Sequence, residues 1–185
     1  MSTFSGAAAI AGIGATEFSK ASGRSELQLS AEATLAALAD AGLTTADVDG
    51  LTTFTMDTSS EIALARELGM GDLRFFSRIN YGGGAACATV QQAAMAVATG
   101  VADVVVAYRG FNERSGQRFG QVSSAAATQA NTNGLDNAWS YPYGLSTPAA
   151  TVAMQARRYM HEYGATSADF GAVAVADRRH AAHNP

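Results

Sequence analysis

Four short apolar runs stand out in the first 110 residues, and their length and composition predict β-strands. They lie at 7–14, 51–56, 73–79 and 103–108. The first and last runs contain few or no polar side chains, a pattern typical of strands buried on both faces of a sheet. Arg74 and Arg78 interrupt the third run, so we expect that strand to lie at an interface.

Between these runs, apolar residues recur at intervals of three and four and predict three helices. The first covers 26–41 and stops at Gly42, and the second follows the capping residues 57–60. The third is rich in alanine, ends at Gly100, and is predicted to lie inside the protein. The order β-α-β-α-β-α-β indicates an α/β fold with a mostly parallel sheet.

The regular pattern ends at Gly110. Residues 110–146 are rich in Ser, Gln, Asn, Gly and Ala without a strong period, as in lids, binding loops or disordered segments. Two more helices are predicted, one beginning near Pro148 and one after Thr166. No closing strand follows, so we expect the chain to be part of a longer protein.

Composition excludes several classes of function. The formal charge is −4 and the 12 Lys and Arg residues are scattered, which argues against a nucleic-acid partner. A single cysteine can form neither an internal disulfide nor a cysteine metal cluster, and it suits a reducing compartment. No apolar run approaches the roughly 20 residues of a membrane helix, and the first residues lack a basic signal region. We therefore expect a soluble cytoplasmic protein without a membrane partner.

The segment that joins the third strand to the alanine-rich helix is the strongest candidate site. Residues 80–89 read Asn-Tyr-Gly-Gly-Gly-Ala-Ala-Cys-Ala-Thr. Consecutive glycines let a ligand approach exposed backbone amides at the start of a helix. We therefore predict an active-site turn, with Asn80, Gly82 and Gly84 binding substrate. Tyr81 is a candidate catalytic hydroxyl, although tyrosines in such places more often serve packing.

This strand-turn-helix resembles the N-terminal half of the thiolase superfamily, whose pattern around the nucleophilic cysteine is Val-Asn-x-x-Cys-x-x-Gly. Laying that pattern on the chain aligns its Asn with Asn80 and its Cys with Gly83. Residues 141–145 resemble the active-site loop of the family, and 179–185 resemble the stretch that closes its insertion. The resemblance implies a thiolase-like layered fold with helices on both faces of the sheet. It implies an N-terminal core over 1–110, a loop-domain insertion over 111–185, and a C-terminal half beyond Pro185.

A narrower resemblance is to the thiolase-like lipid-transfer-protein aldolases of bacterial steroid side-chain degradation. It rests on residues 12–19, 80–87 and 107–116. It implies a retro-aldol cleavage of a β-hydroxyacyl-CoA steroid side chain to a 17-ketosteroid and propionyl-CoA. It also implies a homodimer, a CoA thioester as substrate without a bound cofactor, and a partner that is the OB-fold zinc-ribbon domain of an acyl-CoA hydratase.

The resemblance assigns roles to several residues. Gly83 occupies the vacated nucleophile position, and a retro-aldol step needs a base and an enolate trap rather than a covalent acyl-enzyme. Tyr143 is a candidate for catalysis and substrate binding, and the main acid/base is expected beyond Pro185. The remaining substrate-binding candidates are Gly144, Leu145, Arg114 and Arg118.

Two other functions stay open. An acetyl-CoA acyltransferase would use Cys87, but we expect that residue to be a buried core side chain, one turn into its helix and away from the amides that lower a thiol pKa. A non-catalytic lipid or acyl-CoA carrier would equally explain the glycine at position 83.

The remaining polar candidates each allow two interpretations. The cluster of Arg109, Arg114 and Arg118 can meet either the phosphates of CoA or acidic residues across a subunit contact. His180 and His183 have a spacing that permits metal ligation, but no third ligand is evident, so we predict no metal site.

Overall fold

The computed structural model describes residues 5–54, 57–79, 86–116, 141–145 and 147–184. The chain divides into two compact units, Met1–Arg118 and Phe119–Pro185. The assignment of 111–185 as a loop-domain insertion stays a prediction.

The first unit contains a three-stranded sheet formed by β1 (Gly50–Phe54), β2 (Phe75–Ile79) and β3 (Val105–Ala107). The spatial order is β2-β1-β3, and both neighbours pair parallel to β1. Phe54 pairs with Ile79, and Thr52 pairs with Ala107. The predicted parallel sheet is therefore confirmed, and all three strands end at the same edge.

Three helices alternate with these strands, as the sequence predicts. They are α1 (Glu26–Ala41), α2 (Glu61–Glu67) and α3 (Ala86–Ala98). The hydroxyl of Ser25 caps α1 by accepting from the N–H of Gln28, and Gly42 ends it with a φ of 70°. The N-terminus of α2 is capped by Ser60, the last of the four predicted capping residues.

The core lies on one face of β1, against α1 and α2. Its buried members are Ala31, Leu38, Val48, Leu51, Leu64 and Tyr108. Helix α3 packs on all three strands, and every residue of β1 is buried, so the central strand is covered on both faces. Full burial of a leucine such as Leu51 stabilises the fold by about 1.5–3 kcal/mol.

The prediction of a buried strand over 7–14 is wrong. This segment has no regular secondary structure and does not pair with β1, β2 or β3, and Ile10 and Ile13 are each 76% exposed. It packs on α1 instead. The backbone at Gly12 lies so close to the helix that a Cβ there would overlap the carbonyl oxygen of Ala37. The N–H of Ile13 donates to Oδ2 of Asp40 at 2.9 Å, a side-chain bond that replaces a sheet bond. An apolar run does not specify which neighbour it packs against.

Two burial predictions also need correction. Strand β3 is only partly buried because it lies at an edge of the sheet in the described part of the chain. The alanine-rich α3 is predicted to lie inside, yet Thr89 and Ala96 are the only residues of this helix that are buried. One face of α3 packs on the sheet, and the other leaves Val90 46% and Met95 44% exposed.

The second unit contains a 3₁₀ turn (Tyr141–Tyr143) and two predicted helices, α4 (Pro148–Tyr163) and α5 (Ser167–Ala181). Thr147 caps α4 and Pro148 occupies its first turn, while Thr166 and Asp169 form a capping box at α5. The ring of Tyr159 packs against those of Tyr163 and Phe170, at centroid distances of 4.8 and 6.3 Å. None of the helices in the described residues has the length and apolarity to span a bilayer.

Candidate active site

The candidate site lies at the edge where the three parallel strands end. Loops at the carboxyl ends of parallel strands are the usual ligand-binding position in open α/β sheets. Asp57 follows β1, and Tyr108 and Arg109 follow β3 directly. The glycine turn of 80–84 begins immediately after Ile79, the last residue of β2, but it lies outside the described residues.

Asp57 is a buried carboxylate at this edge, and its side chain has no exposed surface. Oδ2 of Asp57 accepts a hydrogen bond from Oγ1 of Thr53 at 2.7 Å. Oδ1 accepts no hydrogen bond from the described residues and lies 3.4 Å from Nε of Arg109. Burial raises the pKa of Asp57, although the Thr53 bond and the charge of Arg109 act in the opposite direction.

A second ion pair lies beside the first one. Arg78, in β2, pairs with Glu61 at 3.2 Å and also donates to the carbonyl oxygen of Ser59 at 3.3 Å. The same carbonyl accepts from the phenol of Tyr108 at 3.0 Å. Burial and the nearby charge of Glu61 raise the pKa of Tyr108 far above its usual value, so this phenol donates and does not ionise. The segment 57–61 is thus tied to residues from β2 and from the end of β3.

Arg109 connects this buried group to an open cavity. Its guanidinium lies 5.5 Å from the ring centroid of Phe54 and 5.6 Å from that of Phe111, distances suited to cation–π contacts. Arg109, Phe111 and Arg114 line a cavity of about 320 Å³, called the carboxyl-edge cavity below, whose other walls include residues 14–19 and Leu29 and Ala33 of α1. Two of the three arginines in the predicted cluster therefore face one cavity, and Arg118 lies outside the described residues.

Asn112 fastens the loop after β3 to the start of α1. Its N–H donates to Glu26 at 3.1 Å, its amide group donates to the carbonyl of Arg24 at 2.6 Å, and its carbonyl oxygen accepts from Ser22 at 3.1 Å. Gly110 allows this close approach, because a Cβ there would overlap the hydroxyl of Ser30. Hydrogen bonds therefore attach this wall of the cavity to the residues at the start of α1.

The other predicted site residues are placed as follows. Tyr143 is 78% exposed at the end of the 3₁₀ turn, and Gly144 follows it with a φ of 80°, which favours glycine. Leu145 is half-buried. These three lie in the second unit, whereas Arg114 lies in the first. Asn80, Tyr81, Gly82, Gly83 and Gly84 lie outside the described residues.

The burial predicted for Cys87 is wrong. Its side chain is exposed, and it lies in α3, which the structure describes from Ala86 onward. Alanine neighbours indicate burial only where both faces of a helix are covered, which is not so for α3.

His183 hydrogen-bonds through Nδ1 to the carbonyl of Arg179 at 3.0 Å. Within the described ranges, no group of three or more His, Cys, Asp or Glu could hold a metal ion.

Sequence reasoning missed the buried group formed by Asp57, Ser59, Glu61 and Tyr108. The pattern of residues 57–60 indicates only helix caps, a role that Ser60 fulfils. The available signal was Asp57, a carboxylate directly after the predicted strand 51–56, because parallel sheets place functional groups at that position.

Comparison with known proteins identifies the family of this site and fold. Residues 8–185 match the family model described as thiolase, N-terminal domain. The chain belongs to the thiolase family. A solved structure of an "Ltp2-ChsH2(DUF35) aldolase" superposes with a TM-score of 0.79 and 69% identity, covering 97% of this chain and 44% of that one. The predicted thiolase-like α/β fold is thereby confirmed.

Two curated thiolase-family relatives are more specific. The chain is 75% identical over 181 residues to the "17-hydroxy-3-oxo-4-pregnene-20-carboxyl-CoA lyase" of Mycobacterium tuberculosis, covering 98% of this chain and 47% of that protein. It is 69% identical over 185 residues to the "Steroid side-chain-cleaving aldolase" of Thermomonospora curvata, covering 100% and 47%. The predicted resemblance to steroid side-chain aldolases is confirmed. The chain spans about half the length of these relatives.

Proposed function

We propose that this chain belongs to a retro-aldolase that cleaves the side chain of a steroid β-hydroxyacyl-CoA to a 17-ketosteroid and propionyl-CoA. The observation that carries the proposal is the 75% identity, over 98% of the chain, to a relative named as a lyase for a 17-hydroxy steroid carboxyl-CoA. A CoA thioester is the substrate, and the steps need no cofactor.

In this reaction a base removes the proton from the tertiary alcohol. The bond between the carbinol carbon and the α-carbon of the thioester breaks, and its electron pair becomes the enolate of the departing propionyl-CoA. Hydrogen-bond donors stabilise the enolate oxygen until the α-carbon is protonated. Gly83 aligns with the nucleophilic cysteine of the thiolase pattern, and the loss of a side chain at this position would leave room for a branched substrate and leave backbone amides available to that oxygen.

The proposed substrate contacts follow the same alignment. Asn80, Gly82 and Gly84 form the turn around the thioester, and Tyr81 and Tyr143 are candidates for orienting the hydroxyl. Gly144 and Leu145 contribute to the pocket wall, and Arg114 and Arg118 bind CoA phosphates. The lining of the carboxyl-edge cavity by Arg114 supports its role. Arg109 has a different role, because Asp57 already pairs with it.

The proposed assembly is a homodimer bound to the OB-fold zinc-ribbon domain of an acyl-CoA hydratase. The similar solved structure is named for an aldolase together with a ChsH2(DUF35) component, which supports such a partner. The position of β2 at an edge of the sheet supports a dimer through that strand.

The test uses the full-length protein with its partner domain and a 17-hydroxy steroid C22-acyl-CoA. We expect equal amounts of 17-ketosteroid and propionyl-CoA to form. The matched control is the same thioester without the 17-hydroxyl group, which should bind and remain intact because it has no proton to start the cleavage. Binding of the hydroxylated substrate without release of ketone would favour the carrier function.

A second candidate is an acetyl-CoA acyltransferase that uses Cys87. The exposed thiol of Cys87 favours it, because the nucleophile of an acyl transfer must be accessible to its substrate. Radiolabelled acyl-CoA distinguishes the two functions. A labelled Cys87 peptide that disappears in Cys87→Ser would exclude the aldolase, whereas full ketone release by Cys87→Ser would exclude the acyltransferase.

A further inference from the structure

The proposed reaction gives no task to Asp57, although this residue is the most completely buried carboxylate at the site edge. Its side chain has no exposed surface, and in the described part of the chain Oδ1 has no hydrogen-bond donor. A buried charge with an unused acceptor atom is costly, so its presence indicates a role beyond packing. The nearest cation to that atom is Arg109, 3.4 Å away.

Arg109 itself is only half-buried, with 52% of its side chain exposed. Its guanidinium lies between the rings of Phe54 and Phe111, and Phe111 lines the cavity together with Arg109. Contacts with aromatic rings alone are weak at exposed sites, and a long arginine side chain has many alternative rotamers. We therefore attribute the observed rotamer of Arg109 to its pairing with the negative charge of Asp57.

The backbone around Arg109 is held by the same group. Oγ1 of Thr53 has one proton and two acceptors within reach, Oδ2 of Asp57 at 2.7 Å and the carbonyl oxygen of Tyr108 at 3.2 Å. The N–H of Tyr108 donates to the carbonyl of Thr52 at 3.1 Å. Asp57 therefore lies between the end of β1 and the chain that continues from β3. The last residue of β1, Phe54, also pairs with Ile79 at the end of β2.

We propose that Asp57 is a positioning residue, which holds Arg109 and through it the wall of the carboxyl-edge cavity in the shape that binds the acyl-CoA substrate. The carboxylate does not touch substrate, because its side chain has no exposed surface and does not line the cavity. Its loss should therefore weaken binding of the substrate and leave the bond-breaking step almost unchanged. The kinetic part of this inference rests on the proposed lyase function.

The experiment uses the full-length protein with its partner domain and the variants Asp57→Asn, Arg109→Met and the double variant. Asn keeps the shape of Asp57 and an acceptor for Thr53 but removes the charge that holds Arg109. We expect each single variant to raise KM about tenfold, with kcat within about threefold of wild type, since one charge-assisted contact is lost. The double variant should be no worse than either single variant, because both remove the same interaction.

Asp72→Asn is the matched control, since Asp72 is an exposed carboxylate before β2 that lies outside this group, and its KM should not change. Additive effects in the double variant, or a loss confined to kcat, would overturn the proposal. If Asp57→Asn does not fold, Arg109→Met alone tests the proposal, because the half-exposed Arg109 side chain tolerates substitution more easily. An unchanged KM in that variant would overturn the proposal.

A readout that needs no turnover separates this inference from the proposed function. The affinity for the unreactive thioester that lacks the 17-hydroxyl group is measured calorimetrically for the same variants. If wild type releases no ketone but Asp57→Asn and Arg109→Met weaken this binding non-additively, the lyase function fails and the positioning role stands. If ketone is released normally and the affinities do not change, the positioning role fails alone.

Discussion

At the scale of single residues, two aspartates that flank β1 differ in how they are satisfied. Asp49 precedes the strand and accepts from the N–H groups of Asp103 and Val104 at about 3.0 Å. Burial acts to raise the pKa of Asp49, but these bonds and Arg74 outweigh it and hold the pKa below its usual range. Asp57 follows the strand, and there burial prevails in raising the pKa. The satisfied carboxylate lies away from the site edge, and the unsatisfied one lies at it.

Burial gives Asp57 a pH-dependent effect on stability with a defined sign. Because the folded-state pKa is raised above 3.8, the folded protein keeps this proton to a higher pH than the unfolded chain. The contribution of Asp57 to the free energy of unfolding is therefore greatest below the unfolded pKa and falls as pH rises through the folded value. We expect Asp57→Asn to lack this fall.

Urea unfolding at a series of pH values measures the effect. The free energy of unfolding of Asp57→Asn minus that of wild type should increase as pH rises from about 4. The other charged groups near Asp57, which are Arg109, Arg78 and Glu61, are present in both proteins, so the difference isolates Asp57. A difference that decreases with pH would contradict a raised pKa.

At the scale of elements, Asp49 ties the beginning of β3 to β1 and pairs with Arg74 before β2. We expect Asp49→Asn to lower the free energy of unfolding by about 2 kcal/mol at pH 7, because two amides at the sheet edge lose a charged acceptor. Since the folded-state pKa of Asp49 is lowered, wild type should lose this advantage as pH falls below about 4.

Asp103→Asn is the matched control for Asp49, because Asp103 pairs with the same Arg74 but its side chain is 80% exposed. Its effect on the free energy of unfolding should stay within about 0.5 kcal/mol. Equal effects of the two substitutions in chemical denaturation would show that the ion pair with Arg74, not the backbone amides, is the important contact.

Local chemistry explains which elements the sequence could predict. Helix α1 has a serine cap, an apolar period and a C-terminal glycine, and all three signals agree with its observed bounds. The apolar run 7–14 predicts a strand of the sheet, but it contacts α1 through Gly12 and Gly14. The composition of this run predicts an extended, buried segment, but it does not specify whether the segment packs on the sheet or on a helix. The same reason limits how much of the site can be predicted. Glycines 82–84 predict a turn from local sequence alone, whereas the pairing of Asp57 with Arg109 depends on the folding of the long chain segment between them.

The contact between the segment 7–14 and α1 makes a specific stability prediction. Gly12→Ala and Gly14→Ala should each lower the free energy of unfolding by about 1–3 kcal/mol, because the new methyl group would overlap backbone atoms of α1. Gly71→Ala is the control, since a Cβ there would meet nothing within 4 Å. Thermal or urea unfolding measures all three, and equal stability of Gly12→Ala and Gly71→Ala would place the segment away from the helix.

At the scale of the whole molecule, apolar side chains are exposed on several elements of the described surface. They include Ile10 and Ile13 in the segment 7–14, Val90 and Met95 on α3, and Phe76 on β2. Solitary apolar side chains are common on protein surfaces, but Phe76 also lies on an edge strand, whose outer N–H and C=O groups have no strand partner in the described residues. Strand β2 therefore combines both features of an interface.

This combination leads us to predict that β2 forms the contact of the proposed homodimer. Phe76 is 65% exposed, and Phe76→Lys would place a charge on the strand that must approach its copy. We expect the variant of the full-length protein to be monomeric at a concentration where wild type is dimeric, as measured by light scattering after size-exclusion chromatography. Ile62→Lys is the matched control, because Ile62 is 58% exposed on α2 and its substitution should leave the mass unchanged. A Phe76→Lys protein that keeps the mass and dissociation constant of the wild-type dimer would exclude β2 from the interface.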